Sequence, residues 1–261
     1  MENSGLKSLV QSQFGANAEN YATSRIHAEG DSLLRLVALT RPQPGWQVLD
    51  VATGAGHTAM AFAPHVAKVT ATDMTPRMLE VSAGLAQKRG LTNITFREAE
   101  AENLPFADAS FDLVTCRIAP HHFADVPRFV QEVKRVLKPG GTFGLVDNIA
   151  PESPKAAEQL NIIETVRDPS HVRCWSAGEW LDLLRRNAFV VQHHEVLDKD
   201  MDLDGWAGRM SASAEDRAKL KEMLWDDTPG LQDYLRTQDA KDGNLKFNLQ
   251  EAVFIAARGL G

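Results

Sequence analysis

Residues 46–60, WQVLDVATGAGHTAM, constrain the fold more than any other stretch of the chain. Trp46-Gln47-Val48-Leu49-Asp50-Val51 is the mostly apolar run of a buried parallel strand, with an acid near its end. Ala52-Thr53-Gly54-Ala55-Gly56 is small-residue punctuation, suited to a tight turn and to close approach of a ligand to backbone. His57 to Ala63 reads as a helix stopped by Pro64. Strand, glycine turn and helix make half of a nucleotide-binding βαβ unit, with backbone N–H groups offered at the helix N-terminus. So short a glycine pattern also occurs in plain turns, and the remaining chain has to decide between the two readings.

The pattern continues. Val66 to Asp73 is a second strand ending in an acid, and Thr75 to Gly90 is a helix with Pro76 in its first turn. Ile94-Thr95-Phe96 starts a third strand, Phe111 to Cys116 forms a fourth and Thr142 to Asp147 a fifth. An amphipathic helix spans Val126 to Leu137, ended by Lys138-Pro139-Gly140-Gly141. Two helical pieces, Leu6 to about Tyr21 and Ile26 to Leu39, precede the first strand. Residues 151–187 read as helical with a break at Asp168-Pro169-Ser170-His171, Phe189 to Val196 as a sixth strand and Glu251 to Arg258 as a seventh. Between those two, residues 198–243 are charged and helical, too long for a hairpin loop and read as a surface insertion. Strands alternating with helices at this spacing predict a parallel, doubly wound sheet.

Composition narrows the class. With 261 residues and 43% hydrophobic content, the chain can bury one large core, and a net charge of -7 argues against a nucleic-acid surface. No run approaches ~18 apolar residues, the N-terminus lacks a signal-peptide layout, and Cys116 and Cys174 form no CxxC pair. The expectation is a cytoplasmic α/β protein.

Asp73 discriminates between ligands. It stands where nucleotide-binding folds place an acid for ribose hydroxyls, and a carboxylate accepts both vicinal hydroxyl protons. An NAD(P)-dependent oxidoreductase would want the full GxGxxG series, but Ala59 stands beyond Gly54 and Gly56, and Asp50 precedes the turn. A carboxylate there would repel a pyrophosphate and welcome an ammonium group.

At this point the chain resembles a known family. Asp50-Val51-Ala52-Thr53-Gly54-Ala55-Gly56 is similar to the (D/E)xGxGxG motif of class I S-adenosylmethionine (SAM)-dependent methyltransferases, with Ala52 in place of the first glycine. Glu100 to Phe106 resembles the family's DAExLPF segment, Ser110-Phe111-Asp112 its SFD strand, and Val136 to Gly141 its VLKPGG turn. The likeness covers about residues 10 to 150, and the nearest subgroup is the ubiquinone/menaquinone-biosynthesis C-methyltransferases. It implies a Rossmann-like, doubly wound, seven-stranded, mostly parallel sheet with its last strand antiparallel. It also implies SAM as cofactor, S-adenosylhomocysteine as product, and a cofactor seat of Tyr21, Asp50, Thr53, Gly54, Gly56, Asp73, Met74, Glu100 and Ala101. In that seat Gly54 and Gly56 let the methionine part lie against backbone, and Asp50 orients the turn or meets the ammonium. Asp73 takes the ribose and Glu100 the adenine amino group, while Met74 and Phe106 offer apolar surface and Tyr21 closes over the methionine end.

The chemistry of methyl transfer from a sulfonium asks chiefly for alignment. A base is needed only where the acceptor must lose a proton, and Arg117-Ile118-Ala119-Pro120-His121-His122 follows the fourth strand, at the sheet edge where ligands bind. His121 or His122 is expected as base and Arg117 as a holder of substrate oxygen; Asn148, His171 and Arg173 are further substrate-pocket candidates. Adjacent histidines without a supporting Cys or acid cluster do not suggest a metal, and none is expected. The chain is expected to be one methyltransferase domain: N-terminal helices (1–45), a SAM-binding core (46–150) and helical lids over the acceptor (151–187 and 198–243). A small-molecule acceptor methylated on carbon or oxygen is expected, with no nucleic-acid partner and no membrane span, and a homodimer is allowed. The alternatives are the oxidoreductase and a non-catalytic SAM-binding regulator.

Overall fold

The computed structural model describes residues 3–22, 30–210, 212–240 and 244–260. An N-terminal helix α1 (Asn3–Ala22) and a second, α2 (Asp31–Thr40), lead into β1 (Gln47–Val51). The alternation then runs α3 (His57–Phe62), β2 (Lys68–Asp73), α4 (Pro76–Lys88), β3 (Ile94–Glu98), β4 (Phe111–Arg117), α5 (Val126–Val136) and β5 (Leu137–Ala150). Next come α6 (Pro154–Arg167), the short β6 (Trp175–Ser176), α7 (Ala177–Arg186) and β7 (Phe189–Asp202). Three short helices, α8 (Leu203–Gly208), α9 (Ala214–Met223) and α10 (Leu231–Leu235), precede β8 (Gln238–Asp239) and β9 (Leu245–Arg258). The expected helix from Ile26 lies partly outside the described residues; its described part begins at Asp31.

The sheet runs β3-β2-β1-β4-β5-β9-β7, with β6 beside β5 and β8 beside β9. Strands β1 to β5 pair in parallel, whereas β9 is antiparallel to both β5 and β7. Strand order reverses between β1 and β4, which opens a crevice at the carboxyl ends of the strands. Side-chain alternation sorts the strands onto two cores. Leu49 and Val51 of β1 and Phe254 of β9 face Phe129, Val133 and Trp180 of α5 and α7. Val48, Val253 and Ile255 face the opposite way, against Leu36 of α2 and Phe62 of α3.

A third core, formed by Leu160, Ile163, Trp206, Leu220, Leu231, Tyr234, Phe247 and Leu249, lies under α6 and α8–α10. It revises two expectations. The sixth strand does not stop at Val196 but continues to Asp202, and the last begins at Leu245 rather than Glu251. Within residues 197–202, positions 198, 200 and 202 are exposed and only Met201 is buried, so their sequence LDKDMD looks like a solvated segment. Pairing with β9 through Asp202↔Lys246 makes them strand. The extended ends carry the third core, so the helices over 203–235 rest on the sheet itself. Among the described residues no helix is long and apolar enough to cross a membrane.

Candidate active site

A cavity of about 1480 Å³, its open mouth included, runs along the carboxyl edge of the sheet. Its wall at the β1–β2 end includes Ala52, Thr53, Gly54, Asp73, Met74, Met78 and Ala101, closed over by Leu6, Val10 and Phe14 of α1. At the other end Asn148, Arg167, Asp168, Lys199, Met201, Trp206 and Leu249 line it. Arg117, His121 and His122 stand on the wall after β4.

The β1 turn is built by short-range bonds. Thr53 Oγ1 donates to Asp50 Oδ2 at 2.5 Å, and Thr115 Oγ1 donates to Asp50 Oδ1 at 2.7 Å. Burial raises the Asp50 carboxyl to about 6, against the pull of the two hydroxyls and Arg117. Asp50 is buried and off the cavity wall, so of the two roles open to it the structure favours orienting the turn. Ala52, at the family's first glycine position, takes a left-handed φ of 52°, a conformation that costs an L-residue about 1–2 kcal/mol.

Gly54 and Gly56 serve different ends. Gly54 has φ +54°, and a Cβ there would meet no atom within 4 Å, so its backbone stands open to the cavity it lines. Gly56 does not line the cavity; a Cβ on it would lie 1.9 Å from Ser82 Oγ, and it lets α3 and α4 approach closely. Its expected contact with the methionine part is therefore not what the structure assigns to it.

Asp73 does face the cavity. It accepts Gly54 N–H at 2.9 Å and Thr75 N–H at 2.8 Å, tying the β1 and β2 turns together. Burial raises its carboxyl, against these backbone donors. Glu100 departs from expectation: its carboxylate pairs with Lys7 Nζ at 2.6 Å, and Ala99, Ala101 and Glu102 line the cavity instead. The Tyr21 side chain lies outside the described residues, while Phe14, seven positions earlier, is the aromatic of α1 on the wall. Phe14 meets the His122 ring edge-on at 4.9 Å.

The histidines separate into different roles. His121 Nδ1 is 2.6 Å from Oδ1 of the fully buried Asp147, near the end of β5. Burial opposes a charge on His121, but the charge and hydrogen bond of Asp147, with Glu164 and Asp168, outweigh it and raise its pKa. With Nδ1 engaged, Nε2 is the nitrogen left for proton exchange. His122 Nδ1 is 3.0 Å from the Ser170 carbonyl, which can only accept, so Nδ1 carries the proton. Burial, then the neighbouring His121, push His122 down to about 3. His171 is off the wall: its Nε2 donates to Asn161 Oδ1 at 2.8 Å, and burial pushes it to about 2. Arg173 also misses the cavity, pairing with Glu179 and covering the Trp175 ring. Main-chain N–H groups of Val172 and Arg173 donate to the His121 carbonyl, which docks residues 168–173 onto the His121 segment. Among the described residues no group of three or more His, Cys, Asp or Glu is arranged to hold a metal ion.

Arg117 is half-buried, and its Nε donates to Thr58 Oγ1 at 3.1 Å. Burial lowers its pKa while Glu251 and Asp50 support the charge. The reading of the sequence expected lids over 151–187 and 198–243 but did not single out Asp147, Lys199, Arg167 or Trp206. Asp147 was within reach, since it too lies towards a strand's carboxyl end.

A methyltransferase-domain family model matches residues 49–145. The uncharacterized methyltransferase YcgJ of Bacillus subtilis is 42% identical over 205 residues, 78% of this chain and 81% of that one. The chain belongs to the class I SAM-dependent methyltransferases. The crystal structure of YcgJ superposes with a TM-score of 0.84 at 36% identity, over 88% of this chain and 99% of that one. A demethylmenaquinone methyltransferase of Chlorobaculum parvum is 38% identical over 109 residues, 41% of this chain and 43% of that one. Membership of this family sets the nicotinamide-dependent oxidoreductase aside. Gly54's open backbone, the cavity-facing acid Asp73 and the apolar wall of Met74 and Met78 fit the chemistry of SAM.

Proposed function

We propose that the β1–β2 half of the cavity binds SAM and that a small-molecule acceptor, methylated on carbon or oxygen, enters over β5, β9 and β7. The observation that carries this reading is His121, on the wall where the two halves meet, paired with the buried Asp147. SAM supplies a methyl group on a positively charged sulfur, activated without help from the protein. The Thr53–Gly54 backbone seats its amino-acid end, Asp73 accepts its ribose hydroxyls, and Met74 and Ala101 flank its base. We assign Asp50 to holding the turn and Glu100 to holding α1 through Lys7. His121 Nε2 takes the proton that an enolic carbon or a phenolic oxygen gives up as its new bond forms. Asp147 keeps His121 in the required tautomer and stabilises the imidazolium. His122, held neutral by burial, shapes the wall and leaves the base role to His121. Helices α6 and α8–α10 act as the lid that shuts water from the acceptor, so that alignment contributes about 7–11 kcal/mol. Calorimetry with S-adenosylhomocysteine tests the seat and should give one-to-one binding; absence of binding ends the proposal. Transfer of labelled methyl from SAM to an enol or phenol then tests the reaction, and a protein that binds cofactor but transfers to no acceptor would be the non-catalytic alternative.

A further inference from the structure

The cavity is too long for the cofactor alone. From Asp73 on β2 it crosses β1, β4, β5 and β9 to Lys199 on β7, five inter-strand steps or roughly 24 Å. The far end has its own character. Met201, Trp206 and Leu249 make an apolar surface there, and the charged groups on the same wall are Lys199, Arg167 and Arg209 against Asp168.

The acids paired with Lys199 and Arg167 stand off the wall. Glu251 Oε2 is 3.4 Å from Lys199 Nζ, and Glu164 Oε2 is 3.0 Å from Arg167 Nη1, yet neither acid lines the cavity. Asp168, which does, spends Oδ1 on the Ser170 N–H and hydroxyl. Lys199 Nζ also donates to Asn148 Oδ1 at 3.2 Å, which holds the ammonium at the cavity floor with 17% of the side chain exposed. At this end three cations and one acid stand on the wall, so cations outnumber acids where a ligand would lie. Coulomb attraction falls with distance and is strong where water is excluded.

We infer that the methyl acceptor is an amphipathic anion, an apolar body carrying a carboxylate or phosphate, whose charged group is held by Lys199 and Arg209 while Trp206, Met201 and Leu249 cover the body. This rests on the reading of the cavity as a methyltransferase site. An anion anchored on β7 also fixes the distance from the acceptor's charged group to His121, so the anchor selects which atom meets the methyl.

The test uses benzoate, phenyl phosphate and neutral benzamide, titrated into the full-length protein saturated with S-adenosylhomocysteine and followed by amide chemical shifts. The expected result is that one of the anions binds roughly ten- to a hundredfold more tightly than benzamide, the worth of one charge-assisted contact. Shifts should centre on residues 199–209. Which anion leads distinguishes a carboxylate from a phosphate acceptor. Lys199→Met should abolish the preference and Lys199→Arg should keep it, while Arg209→Leu weakens it without touching the Lys199–Glu251 pair. Equal binding of benzoate, phenyl phosphate and benzamide, no binding of any of them, or a preference unchanged in both Lys199→Met and Arg209→Leu would overturn the inference. Failure of S-adenosylhomocysteine to bind in the first place would instead overturn the methyltransferase reading of the site.

Discussion

At the β1–β2 end of the cavity, ligand-facing groups are held by partners near in the chain or one strand away. Thr53 bonds Asp50 three residues back, and Gly54 bonds Asp73 across the neighbouring strand. At the β5–β9–β7 end Arg167 still has its partner Glu164 three residues away, but Lys199 meets Asn148 across 51 residues. One end is largely backbone and turn geometry; the other is side chains set on a lid. The difference teaches which half tolerates change. A seat made of backbone and a few hydroxyls fails if a turn distorts, whereas a wall of side chains can be altered without disturbing the seat.

Substitutions can break this division, and the largest effect is expected where the halves meet. His121→Ala should lower kcat about 10²- to 10⁴-fold, while calorimetry finds affinity for S-adenosylhomocysteine unchanged. Only neutral His121 accepts a proton, so turnover rises as pH climbs through its pKa, which Asp147 holds above the ordinary ~6.5. Asp147→Asn should move that limb to lower pH and reduce the rate, read in turnover assays between about pH 5 and 8. His122 stays neutral across this range and His122→Gln should leave the limb in place.

Next comes Gly56→Ala, which combines a left-handed φ of +84° with a Cβ 1.9 Å from Ser82 Oγ. Urea unfolding should show a loss of about 2–5 kcal/mol, the sum of strain and overpacking. Adding Ser82→Gly should recover the packing part alone. A Gly56→Ala protein of normal stability but lost cofactor binding would instead return Gly56 to the ligand.

Asp73→Ala should weaken S-adenosylhomocysteine roughly ten- to a hundredfold through lost charge-assisted bonds. Lys199→Met, on the opposite half, should leave that affinity alone; equal weakening by both would erase the division between the halves. The smallest effect is Ala52→Gly, which relieves the φ of 52° while loosening the unfolded chain, for a net gain of at most about 1 kcal/mol in thermal unfolding.

The sequence was most informative where function follows chain order. Strand periodicity placed β1, β2 and β4 close to their observed limits, and Asp73 and Gly54 lie where the motif put them. It was least informative where pairing overrides local composition. Residues 197–202 read as part of a charged helical insertion, yet β9 draws them into the sheet. Glu100 matched a motif position, but Lys7 of α1 claims its carboxylate. His171 and Arg173 looked like pocket residues on polarity alone, and their partners turn out to be Asn161 and Glu179.

By itself the sequence determined the family and the order of the elements, because those rest on turns and strand ends that neighbouring residues dictate. Only the tertiary structure decided that His121 bonds the buried Asp147 at 2.6 Å while His122 stands 3.9 Å from Asp168, that Gly56 serves helix packing, and that Lys199 reaches the far end of the cavity. Those depend on sheet register and lid docking, which bring together side chains tens of residues apart. Nothing local in the chain records such a meeting.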